Sequence, residues 1–204
     1  MIASLYRLSC KDLTALKVTD EYSLHRIVYD LFPEREGGGK GRDFLYADKG
    51  GDFRERIVLV LSQRPPAEPM AGRIESREVT HSFLSHDRYA FEVVMNPSQR
   101  DSKTGKTIAL RGENELRDWF ARKSSAWGFS IDETRFEVSR IGVQSFEHKL
   151  EGTVVHARAT FSGILEVIDR PAFIGSFESG IGRCRGFGFG LLQIRPIERA
   201  SVKA

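Results

Sequence analysis

Short apolar blocks separated by polar turns run along the first hundred residues, and their period changes from block to block. Ile2–Leu8 is an apolar run suited to a strand. Asp20-Glu21 opens a helix, since acidic residues at a helix N-terminus are favoured by its dipole. Within it Leu24, Ile27, Val28 and Leu31 recur at i, i+3, i+4 and i+7, which predicts one core-facing side. Phe32-Pro33 stops the helix, because the residue before a proline resists the α region. A flexible GGGKG loop (37–41) follows, then strands over Phe44–Ala47 and Arg56–Ser62. Residues 67–87 are weakly patterned, with a short helix expected near Ser76–Leu84. Tyr89–Met95 is a strand closed by Asn96-Pro97. This order, β-α-β-β-α-β, is that of a ferredoxin-like unit.

The second half reads in the same order. Lys106–Leu110 is a short strand, and Gly112–Trp127 a helix with Leu116, Trp119, Phe120 and Lys123 on one side. Gly128, just past the last turn, is the usual helix stop. Thr134–Val143 and Thr153–Ile168 are strands; in the second, Val155, Ala157, Ala159 and Phe161 alternate with Val154, His156, Arg158 and Thr160. Polar Gln144–Gly152 reads as the hairpin tip between them, Arg170–Glu178 as a short helix, and Phe187–Ile194 as a last strand. The expected architecture is α+β: two tandem ferredoxin-like (βαββαβ) domains with antiparallel sheets, residues 1–96 and 97–204.

Composition narrows the class. At 40% hydrophobic and 10% aromatic, 204 residues carry too much apolar and ring content for a disordered chain. No stretch approaches the roughly 18 apolar residues of a membrane span. The opening MIASLYRLSCKDL lacks a basic segment followed by an apolar one, so no secretory leader is expected. Cys10 and Cys184 stand far apart with no metal spacing, which reads as two reduced thiols in a cytoplasmic protein. The net charge of +3 lies wholly in the second half, because residues 1–100 carry 15 basic and 15 acidic side chains. From Ser179 onward Arg183, Arg185, Arg195, Arg199 and Lys203 face Glu198 alone, a pattern that suits an anion-binding surface or a solvated tail.

Three segments invite chemistry. SKTGKT (102–107) is not a phosphate-binding loop, because Arg100 stands where that pattern requires glycine. Residues 180–190 pack five glycines with Arg183 and Arg185; Gly182, Gly186 and Gly188 let a backbone approach phosphate closely, and arginine adds forked donors. The same segment also fits a glycine-rich turn before an edge strand. Lastly, Tyr22, His25 and Tyr29 lie off the core stripe of the first helix with Arg26 beside them. An imidazole flanked by phenols can transfer protons at neutral pH, although a surface histidine has the same spacing. His81 and His86 lack carboxylate or cysteine partners at metal spacing, and no cofactor or metal pattern occurs.

The run Tyr22-x-x-His25-Arg26-x-x-Tyr29-Asp30-Leu31-Phe32-Pro33 and the segment GIGRCRGFGFGLL together resemble the CRISPR RNA-processing endoribonucleases of the CasE type. These belong to type I-E systems and to the repeat-associated mysterious protein superfamily. Phe91–Pro97, Leu116–Phe129 and FSGILEVID (161–169) resemble the same family. The resemblance implies metal-independent cleavage of repeat RNA at the base of its stem-loop, with no cofactor. It also implies retention of the guide RNA within the multisubunit Cascade complex. The family's active-site histidine falls on His25 and its nearby tyrosine on Tyr22. Attack by the 2′-OH would give a 2′,3′-cyclic phosphate and a 5′-OH, with His25 as base or acid. A-form RNA offers mainly shape and phosphates, so Arg26, Arg140, Lys149, Arg158, Arg183 and Arg185 are candidate stem contacts. The rival expectation is a non-catalytic RNA-binding subunit of the same superfamily.

Overall fold

The computed structural model describes residues 1–33, 42–52, 54–100, 104–148 and 152–198. In chain order, the elements are β1 (Ile2–Ser9), α1 (Cys10–Ala15), α2 (Glu21–Asp30), β2 (Phe44–Gly51), β3 (Glu55–Ser62), β4 (Arg73–Glu78) and β5 (Arg88–Met95). After these come β6 (Ser98–Arg100), β7 (Thr107–Ala109), α3 (Glu113–Ser124), β8 (Phe129–Ile131), β9 (Glu137–His148), β10 (Gly152–Val167), α4 (Arg170–Ser179) and β11 (Gln193–Pro196).

The first sheet is ordered β2-β3-β1-β4 and the second β11-β5-β10-β8, with β9 also paired to β10; the pairings within them are antiparallel. Both orders are ferredoxin-like, the fold expected from the sequence. The assignment of strands to the two units differs, however. Arg88–Met95, expected to close the first half, is the central strand that opens the second: it pairs with Ala159–Glu166 on one edge and Gln193–Pro196 on the other. The edge strand of the first sheet is instead β4, in the weakly patterned segment and overlapping at Ser76–Glu78 the short helix expected near Ser76–Leu84. Its side chains are almost all exposed, so it has no apolar period to read; backbone pairing with Ile2–Arg7 makes it a strand. Residues 81–84 form a single 3₁₀ turn. Likewise β7, expected to open the second unit, pairs only with β6 in a small hairpin beside the sheets.

α2 is ten residues long, short of the roughly 12–15 at which an isolated helix holds in water. A reciprocal cap fixes its start: the Asp20 carboxylate accepts from Ser23 N at 2.8 Å, and Ser23 Oγ accepts from Asp20 N at 2.9 Å. Packing supplies the rest. Leu24, Ile27, Val28 and Leu31 are buried with Phe44, Tyr46, Val58 and Val60, each such side chain being worth roughly 1.5–3 kcal/mol over exposure. Alternation along β2 sends Leu45 and Ala47 to the other face, into the cluster of Phe91, Phe129, Phe161 and Phe173. The first sheet therefore lies between α2 and the second unit. That sandwich brings α2 within reach of residues 185–187.

Candidate active site

On one flank of α2, His25 and Tyr29, with Tyr22 stacked beside His25, meet the glycine-rich segment arriving from the C-terminal end. That segment is not the strand expected over Phe187–Ile194. Gly188 and Gly190 have φ of +81° and +79°, outside the β region, so only Gln193–Pro196 extends as a strand. Before them, Cys184 takes a left-handed conformation (φ +58°) and starts a 3₁₀ turn over Arg185–Phe187. The turn is anchored at several points. Arg185 Nη1 donates to the carbonyls of Ser179 at 2.6 Å and Gly180 at 3.3 Å, the open end of α4. Asn96 Nδ2 donates to Cys184 Sγ at 3.0 Å, and Gln144 Nε2 to the Phe187 carbonyl at 3.5 Å.

This anchored turn orients His25. The Gly186 carbonyl, 161 residues away in sequence, lies 2.7 Å from His25 Nδ1. A carbonyl can only accept, so Nδ1 carries the hydrogen and the neutral ring keeps its lone pair on Nε2. The imidazole sits among rings: Tyr29 with centroids 4.1 Å apart, Phe187 stacked at 4.9 Å, Tyr22 stacked at 5.9 Å and Tyr46 at 6.5 Å. Burial pushes the His25 pKa below the usual imidazole value, the Gly186 carbonyl pulls it back up, and the Arg42 charge lowers it further. Tyr46, buried beneath, has its phenol pushed well up by desolvation and stays protonated. An imidazole that is neutral at pH 7, with one nitrogen fixed and the other available, can accept or return a proton during phosphoryl transfer.

The profile of a family described as CRISPR associated protein matches residues 4–196. This chain belongs to that family. The CRISPR-associated endoribonuclease Cse3 of Thermus thermophilus is 28% identical over 197 residues, spanning 88% of this chain and 92% of the relative. The Cascade subunit CasE of Escherichia coli is 25% identical over 191 residues, 87% of this chain and 93% of the relative. Among solved structures, Cse3 bound to a 19-nucleotide RNA superposes with a TM-score of 0.81 at 20% identity, over 96% of this chain and 100% of that one. Cas6e from E. coli does so with 0.71 at 22% identity, over 97% and 100%. At these identities the superpositions concern the fold.

In this member of the family, the expected site residues separate into groups. His25 and Tyr22 lie together with Gly186. Arg26 is exposed on α2, and its charge acts on the Asp20 cap. Arg183 is exposed and donates to Thr107 Oγ1 at 3.2 Å, tying the glycine-rich segment to the β6–β7 hairpin. Arg185, expected as a phosphate contact, spends its Nη1 hydrogen bonds on α4 carbonyls, so its place in the fold is that of an anchor. Arg158 donates to Gln144 Oε1 at 3.3 Å, beside the turn. Arg140 is exposed at the bulge where β9 and β10 shift register. β9 runs on to His148 and β10 starts at Gly152, so the strands take in residues expected in the tip over Gln144–Gly152; Lys149 lies outside the described residues, as does the GGGKG loop. Gly182 (φ +78°) packs its bare Cα against Met95. Gly188 faces the Tyr46 ring, which makes both glycines structural here.

Sequence reading missed Arg42, Tyr46 and Phe187. Tyr46 and Phe187 were assigned to strands, and Arg42 follows a glycine-rich loop without any period to mark it. Among the described residues, no group of three or more His, Cys, Asp or Glu is placed to hold a metal ion.

Proposed function

We propose that this chain is an endoribonuclease that cleaves CRISPR repeat RNA at the base of its stem-loop and retains the guide RNA as a Cascade subunit. One observation carries the reading: His25 Nδ1 is locked by the Gly186 carbonyl, which leaves Nε2 for proton transfer. The 2′-OH upstream of the scissile phosphate attacks phosphorus and loses its proton; the P–O5′ bond breaks and the 5′-oxygen gains one. Products are a 2′,3′-cyclic phosphate and a 5′-OH. His25 serves one of these two proton transfers, and Tyr22, stacked beside it, orients the phosphate. Arg26, Arg140, Lys149, Arg158 and Arg183 contact stem phosphates. The two units divide between Glu78 and Arg88, where the chain passes from one sheet to the other. Among the described residues no helix is long and apolar enough to cross a membrane, which suits a cytoplasmic complex.

The test is single-turnover cleavage of the repeat RNA in chelator, with product ends mapped. His25→Ala is expected to slow cleavage by roughly 10²- to 10⁴-fold, the usual contribution of an acid–base group, with RNA affinity within a few-fold. Tyr22→Phe slows it less, and a 2′-deoxy nucleotide before the scissile phosphate stops it. A 3′-OH product or a strict need for Mg²⁺ refutes the mechanism. Tight binding of the repeat without cleavage identifies a non-catalytic subunit instead.

A further inference from the structure

Arg42 has a position that the proton-transfer scheme leaves unused. Its Nη1 donates to Tyr29 Oη at 3.2 Å, and the Tyr29 ring is the nearest ring to the His25 imidazole, with centroids 4.1 Å apart. The same Nη1 occupies the space where a side chain on residue 186 would begin. Gly186 is not among the residues with positive φ, so backbone strain does not demand glycine; a Cβ there would displace the guanidinium from its seat. Arg7, Arg56, Arg64 and Arg170 each face a carboxylate, and Arg64 takes Asp43, the immediate neighbour of Arg42. Among the described residues no carboxylate pairs with Arg42, which is exposed at the rim of the site. A guanidinium has five N–H donors in a fixed fork matched to phosphate oxygens, and one hydrogen bond to a phenol leaves most of them available.

Resting on the endoribonuclease reading, we propose that Arg42 is a second catalytic residue: it grips the scissile phosphate and neutralises the charge that grows on its non-bridging oxygens. As O2′ adds to phosphorus and O5′ departs, negative charge peaks on those oxygens. A preorganised cation in a half-buried site stabilises that state more than the ground state. Tyr29 holds the guanidinium beside His25, so the phosphate that Arg42 binds lies within reach of Nε2. The charged and titratable groups around His25 are Tyr22 and Tyr29 on α2, Arg42 and Tyr46 from the β2 side, and none from residues 186–187. Arg42 is therefore the charge that holds the His25 proton affinity down from outside α2.

The experiment measures single-turnover cleavage of the repeat RNA, its affinity and the pH–rate profile for Arg42→Gln, Arg42→Lys and His25→Ala. Arg42→Gln is expected to lose roughly 10²- to 10³-fold in rate, as for removal of one transition-state donor, with affinity changed only a few-fold. Arg42→Lys recovers part of the rate, since it restores the charge without the fork. The inflexion belonging to His25 moves to higher pH in Arg42→Gln, where no cation opposes protonation. A structural role alone would not move that inflexion. A rate within a few-fold of wild type, or a rate loss matched by an equal affinity loss, overturns the assignment. If His25→Ala also cleaves normally, the endoribonuclease site itself is misplaced; if His25→Ala is inactive and Arg42→Gln is not, only the role of Arg42 fails.

Discussion

Gly186 and Gly188 are two residues apart in one turn, and the structure predicts that alanine at each will do opposite things. Gly188 has φ of +81°, and a Cβ there would lie 3.0 Å from a ring carbon of Tyr46. That ring is 2% exposed and cannot retreat. A left-handed conformation costs a non-glycine residue about 1–2 kcal/mol, and overpacking against a fixed ring adds roughly 1–3 kcal/mol. Gly188→Ala should therefore lose about 2–5 kcal/mol, which at this chain length lowers the melting temperature by roughly 5–15 °C. At Gly186 the backbone is unstrained, and the Cβ would meet the mobile end of Arg42, with Tyr29 Oη next at 3.4 Å. Gly186→Ala should melt within about 2 °C of wild type, since surface changes shift stability by no more than about 0.5 kcal/mol. It should nevertheless cleave RNA much more slowly, because Arg42 is pushed off its seat. Thermal melts and single-turnover cleavage on both variants decide it. Equal melting losses, or a Gly186→Ala protein with wild-type cleavage, would refute the reasoning.

Two further outcomes follow from the same region. Arg185→Ala removes the donor that closes the end of α4 and should cost roughly 1–3 kcal/mol in thermal melts. Arg183→Ala should leave the melt unchanged and reduce the log–log salt slope of RNA binding by somewhat under 1; the reverse pattern would show that the two arginines are misassigned. His25 and His156 are both held below the ordinary imidazole pKa, mainly by burial, so below about pH 6.5 the unfolded chain binds protons that the fold does not. Stability should therefore fall between pH 7.5 and 5, and less steeply in His25→Gln/His156→Gln; an unchanged slope in that double variant would refute the assignment.

Where a residue's role depends on a regular period, the sequence was enough to find it. Leu24, Ile27, Val28 and Leu31 mark the buried side of α2 because a helix repeats every 3.6 residues, and the same period sets Tyr22, His25 and Tyr29 off that side. The cap at Asp20 and the stop at Pro33 are equally local, since each acts through its own backbone neighbours. Tertiary structure decided what depends on partners distant in sequence. β4 is a strand because β1 pairs with it, although its own side chains face water. β5 belongs to the second sheet because β10 and β11 flank it; as an apolar strand it would have fitted either. His25 became more than an exposed helix residue only when Gly186, Phe187 and Arg42 arrived around it. The turn that carries Gly186 and Phe187 is held by Asn96 and Gln144, 88 and 43 residues from their partners, and by the nearby end of α4; none of these contacts leaves a period along the chain.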